Sequence, residues 1–126
     1  MIKHVVCWKL LDHAQGRNKE ENAVLLRDRL MALRPLIQGI VKMEVGIDCT
    51  GDGGNYDACL VSVFSSMEAL HAYKVHPAHV KVSEFCNEIR ESRVAVSLRQ
   101  LMAETYSPCS VASGRLTYPI QPVIPL

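Results

Sequence analysis

The chain has 126 residues, 48% of them hydrophobic and 21% charged, which fits one globular domain and excludes a disordered chain. Fourteen basic side chains against 13 acidic ones leave a net charge of +1, so the total charge offers no electrostatic grip on nucleic acid or an anionic membrane. No apolar run approaches the ~20 residues of a transmembrane helix, and the first residues lack the apolar core of a signal peptide.

Residues 2–10, IKHVVCWKL, are rich in β-branched and aromatic types and predict a strand. Ile2, His4, Val6, Trp8 and Leu10 share one face, assigned to the helix side; Lys3, Val5, Cys7 and Lys9 share the other. DHAQGRN breaks the pattern. From Arg17 to about Pro35 a helical period follows, with Val24, Leu26, Leu30 and Leu33, and Leu25 and Met31 nearby, as its apolar stripe. Pro35 marks its expected end.

Residues 39–47, GIVKMEVGI, predict a second strand with Val41, Met43, Val45 and Ile47 on one face. DCTGDGGN reads as a mobile hairpin loop, and residues 56–64, YDACLVSVF, as the third strand. Ser66 is the expected N-cap of a short helix from Met67 to Tyr73. A further helix after Val75-His76-Pro77 carries Val82, Phe85, Cys86 and Ile89 at i, i+3, i+4 and i+7. RVAVSL, residues 93–98, is the last strand.

The order β-α-β-β-α-(α)-β is the split βαβ pattern of a ferredoxin-like α+β sandwich. Its expected extent is residues 1–98. Residues 99–126 hold four of the six prolines and read as an irregular tail. Helices cover only one face of such a sheet, yet strand three is apolar on both: Ala58, Leu60 and Phe64 on one side, Cys59, Val61 and Val63 on the other. A second cover is required; the tail is one candidate, and a symmetric partner subunit the better one.

The five cysteines, Cys7, Cys49, Cys59, Cys86 and Cys109, are odd in number and have no C-x-x-C spacing. They read as free thiols in a reducing cytosol, hence a cytoplasmic protein. For chemistry, His76-Pro77-Ala78-His79 stands out. Pro77 suits the first helical position, which puts His76 at the N-cap and His79 in the first turn. The positive end of the helix disfavours imidazolium there, so a neutral His79 is a general-base candidate, with Tyr73 upstream as a phenol donor. The same spacing also describes a plain helix start. His-x-x-His supplies two ligands with none near to complete a metal site, and no cofactor motif is present.

The opening IKHVVCWKL resembles the "KHVVLFKFK" start of the stress-responsive dimeric A/B barrel (Dabb) family. The middle of the chain resembles its "IPGI…EVG", "YD…L…F" and "AL..Y..HP.H" segments, over about residues 1–97 in all. The resemblance implies a homodimer whose two ferredoxin-like sheets close an eight-stranded α/β barrel. The family includes the plant polyketide cyclase that makes olivetolic acid. Matched residue by residue, its general-base histidine falls on His79 and its assisting tyrosine on Tyr73. A pocket histidine falls on His4, and pocket walls on Val6, Trp8 and Leu60; His76 is expected to orient the ligand.

The implied function is binding of a small, partly apolar molecule, with cofactor-free cyclase, isomerase or lyase chemistry if the protein is an enzyme. Rival readings are a cofactor-free monooxygenase or heme-handling barrel, and a non-catalytic structural stress protein. Two departures stand out: Val96-Ser97-Leu98 replaces the family's acidic "VDYE"-like ending, and Trp8 is bulkier than the usual aliphatic or Phe.

Overall fold

Alternation along the first strand decides which side of the sheet becomes core. In the computed structural model, which describes residues 1–99, β1 (Ile2–Leu10) buries every even-numbered side chain and leaves every odd one half-buried. A small hairpin follows, β2 (His13–Ala14) and β3 (Arg17–Asn18), turning through Gln15 and Gly16 at φ 55° and 75°. Then come α1 (Lys19–Met31), β4 (Ile40–Ile47), β5 (Ala58–Phe64), α2 (Met67–Val75), α3 (Pro77–Ile89) and β6 (Arg90–Arg99). The four long strands form one sheet in the order β4-β5-β1-β6, and every neighbouring pair is antiparallel. This is the ferredoxin-like α+β fold, with three helices on one face. Arg99 closes β6, and the rest of the expected tail lies outside the described residues.

The first helix is shorter than its periodicity predicts, because its ends are set by capping. Asn18 Oδ1 accepts from the Glu21 N–H at 2.8 Å and Glu21 Oε1 accepts from the Asn18 N–H at 3.0 Å, a reciprocal cap that excludes Arg17. Ala32 is the C-cap, and turns bonded through the Leu30 and Leu33 carbonyls carry the chain past Pro35. Leu26, Leu30 and Leu33 are buried as expected, but Val24 and Met31 are 42% and 40% exposed. Val24 lies two residues from Leu26, roughly 200° around the helix. Asn22 fills the core position instead, fully buried. Its Nδ2 donates to the Ala14 carbonyl at 3.0 Å and its Oδ1 accepts from Arg17 Nε at 2.7 Å.

Two strand expectations also shift. Val41 leaves the buried face of β4 because the register slips between Ile40 and Lys42, where a bulge adds one residue. β5 begins at Ala58 rather than Tyr56. Asp57 turns out of the ladder, and its Oδ2 accepts from the Leu10 N–H at 2.7 Å. The loop after β4 is cross-linked by Asp48, whose carboxylate accepts from Thr50 Oγ1, the Gly51 N–H and Asn55 Nδ2. Gly39 stands at φ 93°, and a Cβ there would lie 2.7 Å from Ala69 Cβ, so α2 seats on the start of β4 only over a glycine.

The helix face holds the core. Ile2, Val6, Leu10, Leu60 and Phe64 lie under Leu26, Leu30, Leu70, Phe85 and Ile89, each fully buried side chain contributing about 2 kcal/mol. The opposite face has no cover among the described residues. Val5 stands between Val61 and Val96 in the register, and Cys7 between Cys59 and Val94. Val94, Val96 and Leu98 are each 49% exposed. The Cys7 and Cys59 sulfurs are 3.5 Å apart, and both thiols are free.

Candidate functional site

Between the sheet and the helices lies a cavity of about 190 Å³. Its floor is His4, Val6 and Trp8 of β1 with Leu60 of β5; Leu30 of α1 and Tyr73 of α2 form one wall. α3 contributes His79, Val82, Ser83, Cys86 and Asn87, and the start of β6 adds Arg90 and Arg93. Six residues singled out in the sequence therefore meet around one space: His4, Val6, Trp8, Leu60, Tyr73 and His79.

His76 does not line it, which corrects the expected ligand-orienting position. It is the N-cap of α3, and its Nδ1 accepts from the Ala78 N–H at 3.1 Å. This cap has a second effect. In a continuous helix the Ala78 N–H would bond the Lys74 carbonyl. Diverted to His76, it frees that carbonyl to receive His79 Nδ1–H at 3.1 Å. A carbonyl only accepts, so the proton of neutral His79 sits on Nδ1 and the lone pair on Nε2. Burial, and then the nearby Arg93 and Lys74 charges, hold the His79 pKa below the usual histidine value, while the Lys74 carbonyl works in the opposite sense.

Tyr73 is 1% exposed, and its ring lies 4.3 Å from that of His79, centroid to centroid. Phe64 flanks it on another side at 4.9 Å. Its hydroxyl is buried with no hydrogen-bond partner. Burial pushes its pKa above the ordinary phenol value, so the O–H stays a donor at neutral pH. Trp8 Nε1 is the second buried donor without a partner. His4 is buried, with Nδ1 2.8 Å from Ser97 Oγ. Burial, reinforced by the Lys74 and Arg93 charges, brings its pKa down to about 4. The Cys86 thiol is pushed up to about 11 by burial, which makes it a neutral wall group rather than a nucleophile.

Arg90, Arg93, Ser83 and Asn87 were not anticipated. Asn87 Oδ1 accepts from Arg90 Nε and Nη2 at 3.1 and 3.0 Å. Ser83 and Asn87 stand at i and i+4 on α3, a polar pair beside its apolar stripe, and Arg90 follows as its C-cap. Arg93 reaches the site because it pairs directly across from Trp8, a register that no local pattern encodes. Among the described residues, no three His, Cys, Asp or Glu side chains cluster as metal ligands.

A four-stranded antiparallel sheet under three helices, with a histidine–tyrosine cavity between the layers, defines a ferredoxin-like α+β protein. Residues 2–99 match the model of the stress responsive A/B barrel domain, and the chain belongs to that family. A dimeric ferredoxin-like protein of unknown function from Bacteroides fragilis is 31% identical, over 77% of this chain and 93% of that one, with a TM-score of 0.65. A dimeric ferredoxin-like protein of unknown function from Thermobifida fusca is 23% identical, over 77% and 88%, with a TM-score of 0.67. The hydroxynitrile lyase of Passiflora edulis shares the fold at 13% identity, over 77% and 90%, with a TM-score of 0.61. No functionally curated protein matches the sequence.

Proposed function

We propose that the protein is a homodimer whose cavity binds a small, partly apolar carbonyl compound and moves a proton at the carbon next to the carbonyl, without a cofactor. The observation that carries this reading is the buried Tyr73 hydroxyl without a partner, ring to ring with His79. His79 Nε2 takes the proton. The C–H electron pair moves into the carbonyl, and the resulting oxyanion accepts from Tyr73 O–H. The imidazolium then returns the proton at the same or another carbon. Val6, Leu60 and Val82 seat the apolar part of the molecule. A volume of about 190 Å³ favours a ligand smaller than the usual occupants of ~300–1,000 Å³ sites.

The uncovered sheet face supports the dimer: an apolar surface of this kind on a soluble chain marks an interface. The dimeric proteins from Bacteroides fragilis and Thermobifida fusca agree with it.

The test is deuterium exchange. With 2-hexanone and 4-oxopentanoate in D2O, proton NMR should show faster loss of the signals beside the ketone with protein than with buffer. His79→Gln should lower the protein-dependent rate by ~10²-fold. Exchange at the buffer rate for both compounds, or an unchanged rate in His79→Gln, sinks the proton-transfer reading.

A further inference from the structure

The cavity is rich in hydrogen-bond donors and poor in negative charge. Trp8 Nε1 donates only, and Tyr73 O–H and Trp8 Nε1 are both buried without partners. Arg90 spends two of its N–H groups on Asn87, and Arg93 adds a whole guanidinium. Against them, no Asp or Glu lines the cavity among the described residues. The four ion pairs of these residues involve Lys19, Arg27 and Lys42, not either cavity arginine. Arg90 is half-buried and Arg93 solvent-exposed, and together they put two positive charges on the lining of a half-enclosed space that no carboxylate balances, which favours an anionic occupant.

The donors also fall into two groups. His4 and Trp8 are four residues apart on β1, roughly 13 Å along an extended strand. Arg93 pairs across from Trp8, and Ser97 across from His4. Tyr73 and His79 stack on each other, and the Arg93 charge acts on both His4 and His79. The histidine–tyrosine pair therefore forms one group of donors and the indole N–H and guanidinium a second, close enough for one small molecule to meet both. A neutral ketone has one oxygen and serves one group. A molecule carrying both a carbonyl and a carboxylate serves both, and a planar guanidinium binds a carboxylate through paired N–H donors.

From this arrangement we infer that the substrates are small oxo-carboxylic acids, with the carboxylate bound by Arg93, assisted by Arg90 and Trp8 Nε1, and the ketone oxygen at Tyr73. The inference rests on the proposed carbonyl chemistry for the second half of that statement only. Arg93 acts in binding and takes no part in the proton transfer.

Trp8 is the single tryptophan of the chain, so its indole N–H gives one unambiguous resonance in a nitrogen–proton NMR spectrum. Titration of the whole protein with 4-oxopentanoate should move this resonance, at concentrations at least tenfold lower than 2-hexanone requires. Arg93→Gln should cost 4-oxopentanoate about tenfold in affinity and leave 2-hexanone unchanged; Arg93→Lys should recover part of the loss. Equal affinity for the two compounds, or a preference that survives Arg93→Gln, overturns the assignment. Inorganic phosphate binding as tightly as 4-oxopentanoate overturns the carboxylate choice. The two proposals separate cleanly: acid preference without deuterium exchange supports the anion site and sinks His79 as base, whereas exchange in both compounds without acid preference does the reverse.

Discussion

The two faces of the sheet are built from the same strands and have opposite fates. On the helix face, Ile2, Val6, Trp8, Leu10, Leu60 and Phe64 are none of them more than 4% exposed. On the other face Val94, Val96 and Leu98 are each 49% exposed, although their composition is as apolar. The first face stays tight except where histidines, a tyrosine and two arginines interrupt it, and the cavity lies there. The second carries Lys3 and Lys9 toward the ends of β1, with Val61, Val5 and Val96 side by side between them. Polar groups around a cavity suit the first face to a site; the row of valines suits the second to an interface.

The largest effect expected from breaking this contrast comes from Val61→Asp. If the open face closes a dimer, each dimer would bury two unpaired carboxylates at several kcal/mol each. Sedimentation at micromolar concentration should then give a 14.0 kDa particle in place of one twice that mass. A variant that stays dimeric shows that the partner sits elsewhere.

Acid comes next, and it acts on the helix face. His4 titrates at about 4 when folded and near 6.5 when unfolded. Between these values the unfolded chain holds the extra proton. The contribution is therefore fully present above about pH 6.5 and is lost as pH falls toward 4. The loss amounts to about 3 kcal/mol, and His79, shifted the same way, adds to it. Denaturant unfolding at fixed protein concentration should follow this slope, and His4→Gln should flatten it. A wild-type stability that is level from pH 7 to 4 would mean that His4 is not sealed.

The smallest change sharpens the distinction between packing and function. Tyr73→Phe removes a hydroxyl that has no partner in the fold, so stability should move by less than ~1 kcal/mol. Deuterium exchange in 4-oxopentanoate should still fall about tenfold. A large stability loss with unchanged exchange would assign the hydroxyl to the core.

Much of this was legible in the chain. The alternation of β1, the Ser66 and His76 caps, and the two-sided apolarity of β5 each follow from side-chain type and period. The cavity histidine and tyrosine were reached through the resemblance and the proline between them. What stayed hidden depends on contacts that no residue period encodes. Asn22 is polar and buried because it bonds a hairpin that no hydrophobic pattern announces. Val41 faces outward because one bulge shifts the register. Arg93 belongs to the site through its pairing with Trp8, 85 positions earlier in the chain.

β1 carries a further consequence through its alternation. His4, Val6 and Trp8 line the cavity, while Val5 and Cys7 lie on the open face. One strand thus forms the floor of the site and, in the proposed assembly, part of the seam between subunits, with single peptide units separating the two duties. Mass action at the seam is then felt at the site. Diluting the protein below its dimer dissociation constant withdraws support from β1, and subunit concentration joins substrate concentration as a variable that sets how well the cavity works.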